Sequence, residues 1–176
     1  GMVKKTDLMA YSRPRAGGIL AISLADDDEL IAARITDGTY NVFLGARNGK
    51  SIRFHESDVR PSGRVTMGVR GMRIGKEDRI VGMEVLSHGQ TLFTVTENGY
   101  GKRTAVEEHH VQGRGGQGVI GIQTSERNGA LVSALQVTEE ELLALVIGDG
   151  LSCRLCELQI LESFRLIASQ CIRTGH

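Results

Sequence analysis

The sequence predicts an all-β fold assembled from repeated, propeller-type blades. Gly18, Gly68 and Gly118 each begin a short apolar segment, at intervals of 50 residues, and the turn glycines Gly49 and Gly99 keep the same interval along the 176 residues. A fixed internal period indicates a repeat architecture, and about four strands in each period is the spacing of a propeller blade. We therefore expect four-stranded blades, with a solenoid of β-hairpins as the alternative.

Each repeat divides into short segments rich in β-branched residues. The predicted strands are residues 29–36, 40–47 and 51–59, then 79–87, 91–97 and 101–108. Asp37-Gly38, Asn48-Gly49 and Asn98-Gly99 separate several of them, and such dipeptides favour tight hairpin turns because these turns require positive φ. Residues 139–147 are assigned to a strand by their phase in the repeat.

We expect a single propeller-like fragment over residues 1–176. Its units lie at approximately 1–48, 49–98 and 99–149, with a partial and divergent unit at 150–176. So few units predict an incomplete disc rather than a closed ring. The pattern fails beyond about Leu155, since Ala168 stands where the next glycine should fall.

Composition excludes several classes of protein. The 21 basic and 21 acidic residues balance, which argues against a protein that coats nucleic acid with its whole surface. The longest apolar run, residues 142–147, is far shorter than the roughly 20 residues of a membrane helix. Cys153, Cys156 and Cys171 make neither a disulfide framework nor a four-ligand zinc site, so we expect no metal and a reducing cytoplasm.

Charges nevertheless recur at separate phases of the repeat. Acidic residues cluster at Asp26, Asp27, Asp28 and Glu29, at Glu77 and Asp78, and at Glu126. Basic residues at another phase predict a band on one rim, which would hold DNA phosphates without reading bases. The DNA-binding candidates are Lys4, Lys5, Arg13, Arg15, Arg53, Arg60, Arg64, Lys102, Arg103 and Arg114. For any one of them the alternative is a solvated strand end.

The glycine-rich segment at residues 112–118 contains the pattern G-x-G-x-x-G. A dinucleotide site would need a helix after it, but residues 119–124 have the pattern of a strand. We predict a loop whose backbone amides can approach a phosphate. No catalytic constellation is found, His109 and His110 are expected to be solvated in a connection, and the run from Asp26 to Asp28 lacks the remainder of a calcium loop.

Four strings resemble the C-terminal domain of the bacterial DNA gyrase A protein. They are residues 1–6, Asn-Gly-Lys-Ser-Ile-Arg-Phe at 48–54, Gly-Val-Arg-Gly at 68–71, and Asn-Gly-Tyr-Gly-Lys-Arg-Thr at 98–104. The resemblance covers about residues 1–150. It implies a β-pinwheel, a propeller-like disc of about six blades with hairpins exchanged between neighbours, whose basic rim bends and wraps double-stranded DNA and so assists ATP-dependent negative supercoiling.

The family's diagnostic box, Gln-Arg-Arg-Gly-Gly-Lys-Gly, has a degenerate counterpart in this sequence. The matching residues are Gln112, Arg114, Gly115, Gly116 and Gly118, while Gly113 and Gln117 replace basic residues. A degenerate copy is typical of a later blade. The family's first blade is therefore expected to lie outside this sequence.

The resemblance also implies a place in a larger enzyme. The chain would be part of an ATP-dependent type II topoisomerase without catalytic residues of its own, and none of Tyr11, Tyr40 and Tyr100 is assigned as the nucleophile. We expect no cofactor here, while the parent enzyme would use ATP and Mg. Expected partners are double-stranded DNA, the rest of gyrase A, and gyrase B, in the bacterial cytoplasm and nucleoid, with no membrane. The alternatives are the corresponding C-terminal domain of topoisomerase IV and a propeller that binds proteins.

Overall fold

The computed structural model describes residues 1–138, and these are built from β-strands and three short 3-10 turns. The strands are β1 (Met2–Val3), β2 (Asn41–Ala46), β3 (Lys50–His55), β4 (Val69–Arg70), β5 (Ile80–Leu86), β6 (Thr91–Thr96), β7 (Gly101–Ala105), β8 (Val119–Ile120) and β9 (Leu131–Val137). The 3-10 turns are Leu8–Tyr11, Glu56–Asp58 and Val106–Glu108. The all-β class is confirmed, and no helix in this part of the chain could cross a membrane. The predicted strand at 139–147, the divergent unit and the three cysteines lie outside the described residues.

The strands form three antiparallel sheets that draw on successive repeats. The complete sheet has the order β5-β2-β3-β8, which confirms the four-stranded blade. The second sheet has the order β7-β6-β9, and the third pairs β1 with β4. In the complete sheet, β2 comes from the first unit, β3 and β5 from the second and β8 from the third. Because a blade borrows strands from its neighbours, pairing within a blade also joins the units.

The same registers recur one repeat later. Val3 pairs with Val69, and Ser51 pairs with Val119, so the β1–β4 pair is the counterpart of the β3–β8 pair. The β2–β5 ladder shifts register between Gly45 and Ala46, and the β6–β9 ladder shifts at the equivalent place, between Val95 and Thr96. The sequence period therefore corresponds to a period in backbone pairing.

Glycine at the start of β4 and β8 has a steric cause. Gly68 and Gly118 have φ of 83° and 69°, in the left-handed region that favours glycine. A Cβ on Gly68 would collide with the carbonyl oxygen of Val3, and one on Gly118 with that of Ser51. These glycines recur because the chain must turn there and also lie close to the strand with which β4 or β8 pairs.

The core lies on both faces of β2. Alternate residues of a strand point to opposite sides. Val42, Leu44 and Ala46 accordingly join one buried cluster, while Phe43 joins another. The first cluster is completed by Ile52, Phe54, Val59 and Met72, and the second by Leu86, Leu92, Val106 and Ala134. A central strand buried on both faces explains why residues 40–47 read as a nearly continuous apolar segment.

The predicted strand at residues 29–36 is wrong, because the structure has no strand there. Its counterparts β5 and β9 pair with β2 and β6, which belong to the preceding hairpins. No strand within residues 1–138 pairs with residues 29–36, so this segment forms no ladder, and Ile35 is 82% exposed. The strands predicted at 51–59 and 101–108 also end earlier, where the 3-10 turns begin.

Candidate nucleic-acid interface

Two equivalent seams join successive units through arginine and backbone contacts. In the first seam, residues 62–66 lie against residues 20–23; in the second, residues 112–116 lie against residues 70–73. The Arg64 Nη1 donates to the carbonyl oxygen of Leu20 at 3.4 Å, and the Arg114 Nη1 donates to that of Arg70 at 3.1 Å. These arginines therefore have the same structural partner 50 residues apart.

Main-chain hydrogen bonds repeat along with the arginine contacts. The Ser23 amide donates to the Thr66 carbonyl at 3.3 Å in the first seam. In the second seam, the Arg73 amide donates to the Gly116 carbonyl at 2.7 Å, and the Gly115 amide donates to the Gly71 carbonyl at 2.5 Å. The seams are thus built by the backbone and do not depend on one side chain.

The box-like loop at residues 112–118 forms the second seam. The Arg114 Nε donates to the carbonyl oxygen of Asp58 at 2.7 Å, and the Gln112 amide donates to that of Arg53 at 2.7 Å. Gly115 has φ of 81°, which glycine adopts without strain. The strand β8 follows the loop, rather than the helix that a dinucleotide site would need. The loop is held by its neighbours, while Arg114 itself is exposed.

Lys5 and Arg53, two of the ten predicted basic residues, are at least partly buried and donate hydrogen bonds to main-chain carbonyls of the next unit. The Arg53 Nη1 donates to the carbonyl oxygens of Val106 at 2.6 Å and His109 at 3.0 Å, and Arg53 is only 7% exposed. One repeat earlier, the Lys5 Nζ donates to the Glu56 carbonyl at 2.8 Å and lies 3.8 Å from the Glu56 carboxylate. The guanidinium group of Arg53 is therefore buried between two units and is not part of the exposed surface.

Lys4 and Arg64 meet in the first seam. The Lys4 Nζ donates to the carbonyl oxygen of Ala21 at 2.6 Å and also to that of Arg64. Both residues are half-buried. Their charges lie together, but part of their donor capacity is used by the main chain.

The remaining predicted residues are exposed. Arg13 and Arg15 lie in residues 12–18, the counterpart of the two seam loops, and Arg60 follows the 3-10 turn Glu56–Asp58. Lys102 and Arg103 lie on β7, in a different sheet from the seam strands. The Arg103 Nε donates to the Thr91 hydroxyl at 2.7 Å. The structure therefore brings Lys4 and Arg64 together in the first seam and places Arg114 in the second seam. It does not bring all ten residues together.

Sequence reasoning passed over two exposed arginines of the second seam, Arg70 and Arg73. Their counterparts are Leu20 and Ser23 in the first unit, so they do not recur at the repeat interval. Recurrence was the criterion that selected basic residues. The sequence feature that could have pointed to Arg70 is its position within the string at residues 68–71, which carries the family resemblance.

His109 is not solvated, which corrects the prediction, and is 8% exposed. Its amide donates to the Val106 carbonyl at 3.1 Å, which ends the 3-10 turn. The imidazole packs edge-to-face on Phe43, with ring centroids 5.3 Å apart. Burial lowers the pKa of His109, and the positive charges of Lys102 and Arg53 lower it further. His110 is exposed, as predicted.

Residues 1–138 contain no group of three or more His, Cys, Asp or Glu side chains placed to hold a metal ion. The run from Asp26 to Asp28 is exposed at a turn, where the Asp28 amide donates to the Ala25 carbonyl at 3.1 Å.

Comparison with known proteins gives matches to the A protein of DNA gyrase from several bacteria. The chain is 49% identical over 150 residues to that of Pseudomonas aeruginosa, 43% identical over 150 residues to that of Salmonella typhimurium and 44% identical over 153 residues to that of Mycobacterium bovis. Each match covers 85% of this chain but only 16%, 17% and 18% of the relative. The chain thus spans less than a fifth of the length of these relatives.

Solved structures show the same similarity. The C-terminal domain of DNA topoisomerase IV matches with a TM-score of 0.73 and 29% identity, covering 78% of this chain and 44% of that one. The DNA gyrase A C-terminal domain matches with a TM-score of 0.64 and 31% identity, covering 70% and 42%. The profile of the family described as DNA gyrase C-terminal domain, beta-propeller, matches residues 1–37, 40–87 and 90–138. With most of the chain matched in three consecutive repeats, this protein belongs to the DNA gyrase C-terminal domain family.

Proposed function

We propose that this chain binds double-stranded DNA along its arginine seams, without sequence preference, and bends and wraps it. The observation that best supports this function is that Arg64 and Arg114 lie in equivalent seams and bind equivalent main-chain carbonyls. A series of cations at a regular spacing along a curved repeat suits a sugar-phosphate backbone. Membership of the DNA gyrase C-terminal domain family supports the same function.

The geometry of Arg114 suits this role. A guanidinium group carries five N–H donors. The Nε and Nη1 atoms of Arg114 bind the main chain, while Nη2 makes no hydrogen bond to the residues described here. Two fixed nitrogens hold the group in place, so the remaining donors and the charge can meet a phosphate at a lower cost in side-chain entropy.

As part of gyrase A, the chain would present wrapped DNA to a type II topoisomerase that uses ATP and Mg at other sites and introduces negative supercoils. Its partners would be the rest of gyrase A, together with gyrase B, in the bacterial cytoplasm and nucleoid. The similarity to the gyrase A proteins of three bacteria supports this assignment.

The topoisomerase IV domain gives the second candidate, because it matches this chain with a TM-score of 0.73. Both candidates bind duplex DNA under the proposal, so they differ in the topological result. Binding of an acidic protein partner would instead predict no duplex binding at moderate salt.

Fluorescence anisotropy on a labelled duplex of arbitrary sequence tests the binding. If about six phosphates are neutralised, the logarithm of the binding constant should fall against the logarithm of salt with a slope near −5. Arg64→Ala with Arg114→Ala should weaken binding similarly for unrelated sequences, while Arg79→Ala, an exposed arginine outside the seams, serves as the control. Affinity that does not depend on salt would contradict the proposal.

Ligation of a nicked circle tests the wrapping. The chain is added before ligation, and the linking number of the closed circle is compared with that of a circle ligated alone. A shift of one sign that disappears in the double variant supports chiral wrapping. Binding without any shift would limit the function to DNA contact.

A further inference from the structure

A shallow cleft beside the second seam is lined by two of the arginines that the repeat pattern did not select. The cleft has a volume of about 290 Å³, and its lining residues are Gly1, Met2, Arg70, Met72, Arg73 and Ile74. Its lining includes no acidic residue. Arg70 lies on β4, directly opposite Met2 of β1.

The charges of Arg70 and Arg73 are not neutralised by the described part of the chain. Both residues are exposed, and their side chains make no hydrogen bond or ion pair with any residue between 1 and 138. Arg47, by contrast, lies 2.6 Å from the Glu97 carboxylate. Two arginines that line a cleft without an acid create a positive potential that attracts an anion.

The seam adds a third guanidinium group to this region. The Arg114 Nη1 binds the main-chain carbonyl of Arg70, and the Arg73 amide binds the carbonyl of Gly116. The box-like loop therefore fixes Arg114 against the strand and turn that carry the other two arginines. The two arginines of the cleft and the seam arginine therefore lie on two backbone segments that hydrogen-bond to each other.

Comparison of the repeats shows that the fold does not require arginine at these two positions. The counterparts of Arg70 are Leu20 and Ile120, and those of Arg73 are Ser23 and Gln123. The Ser23 amide makes the same seam hydrogen bond as the Arg73 amide. Since neutral residues maintain the seam in another unit, a packing role does not account for the arginine pair.

We propose that Arg70 and Arg73, together with Arg114, form a phosphate clamp for the backbone of duplex DNA. Guanidinium groups suit this ligand because their planar forks can donate two parallel hydrogen bonds to phosphate oxygens. The inference rests on the proposed function and adds that the two described seams bind DNA with unequal strength. Among the described seams, the second is the main anchor for DNA, and the first, with Leu20 and Ser23 at these positions, holds it less tightly.

The test replaces the pair with the residues of the first unit, as Arg70→Leu with Arg73→Ser. At about 0.1 M salt we expect roughly tenfold weaker duplex binding, and a salt slope reduced by about 1 to 2. The matched control is Lys76→Ser with Arg79→Leu, which also removes two exposed cations close by. The control should change affinity less than about twofold, because these two cations do not line the cleft and salt screens exposed charges that make no direct contact with the DNA.

A transplant tests the same inference in the opposite direction. Leu20→Arg with Ser23→Arg, introduced into the Arg70→Leu, Arg73→Ser background, should restore a large part of the lost affinity. Thermal melting verifies folding, and Arg70→Gln with Arg73→Gln replaces the first variant if it unfolds. Titration with inorganic phosphate at matched ionic strength tests for a site for free phosphate: if it displaces DNA from the wild type no more than chloride does, the duplex-backbone assignment stands.

The outcomes separate this inference from the function on which it rests. If the wild type does not bind duplex DNA, the proposed function fails. If the wild type binds and Arg70→Leu with Arg73→Ser binds equally well with the same salt slope, the clamp is overturned and the function stands. Loss of equal size in the control would also overturn the clamp, since net charge alone would then explain the effect.

Discussion

The Arg53 Nη1 donates a hydrogen bond of 2.6 Å to the main-chain carbonyl of Val106, which joins the second unit to the 3-10 turn of the third. Lys5 makes the equivalent bond to the Glu56 carbonyl, one repeat earlier. A charged donor that satisfies a buried carbonyl contributes more than a neutral one. The contact between units therefore depends on a cation that stands at the same place in the first and second units.

We predict that Arg53→Met lowers the free energy of unfolding by about 2 to 4 kcal/mol, because the carbonyls of Val106 and His109 lose their donor in a buried place. Urea denaturation followed by circular dichroism measures the change. The control is Arg60→Met, an exposed arginine, for which a change within about 0.5 kcal/mol is expected. Equal stability of the two variants would contradict the role of Arg53 as a fastening residue.

The lowered pKa of Glu56 implies that the protein loses stability at acid pH. Burial raises the pKa of this carboxyl, but hydrogen bonds from Thr36, Tyr40 and Gly38 outweigh it, and Lys5 adds to them, so the pKa lies below its ordinary value of 4.5. A depressed carboxyl pKa contributes stability above the unfolded pKa, and this contribution is lost as pH falls through the folded pKa. Denaturation between about pH 6 and pH 3 should show the loss in the wild type.

The matched variant for this pH dependence is Glu56→Gln, which keeps the size of a side chain that is 2% exposed. It should be less stable at neutral pH, and the difference from the wild type should shrink as the pH is lowered below about 4. Glu108→Gln, at an exposed position, provides the control. A constant difference across the range would show that ionisation of Glu56 does not contribute.

The repeat glycines allow backbone strain and steric collision to be measured separately. Gly118 has φ of 69°, and its Cβ position is blocked by the Ser51 carbonyl oxygen, whereas Gly18 has φ of 77° with nothing within 4 Å. Gly18→Ala should cost about 1 kcal/mol of unfolding free energy, from the left-handed backbone alone. Gly118→Ala should cost about 2 kcal/mol more, because β8 must move away from β3.

Thermal or urea denaturation of both glycine variants checks this difference. Gly17→Ala is the control, since a Cβ there meets nothing within 4 Å and its φ is not in the left-handed region. If Gly118→Ala were no worse than Gly18→Ala, the approach of the two strands would not be the reason for the repeated glycine.

The repeat and the all-β class could be predicted because their causes are local. The turn at Asn48-Gly49 and the glycines at the starts of β4 and β8 have conformations that the residue type itself indicates. The strand predicted at residues 29–36 failed for the opposite reason. A strand needs a partner, and pairing between successive units is a non-local property that the segment's own composition does not contain.

The site was only partly predictable, because recurrence has two physical causes. A cation on a repeated rim recurs, but so does a cation that fastens each unit to the next, as Lys5 and Arg53 do. Sequence alone does not separate these roles, since burial decides between them. Recurrence also passed over Arg70 and Arg73, which appear in one unit only.

The lowered pKa of His109 implies that the free energy of unfolding also depends on pH in a range nearer to neutral. Burial, with Lys102 and Arg53 nearby, lowers the pKa of His109 below its ordinary value of 6.5. As the pH falls below that value, the unfolded chain binds a proton that the folded chain does not, so the free energy of unfolding must decrease. The decrease should continue until the pH reaches the lowered pKa of the folded state.

His109→Phe should remove this decrease, because a phenyl ring can keep the edge-to-face contact with Phe43 without titrating. The backbone bond from the residue 109 amide to the Val106 carbonyl is retained in the variant. Urea denaturation at intervals between about pH 7.5 and pH 5 measures the slope for the wild type, for His109→Phe and for the exposed His110→Gln as control. If the dependence of the unfolding free energy on pH survives in His109→Phe but disappears in His110→Gln, the titrating residue is His110 and the prediction is contradicted.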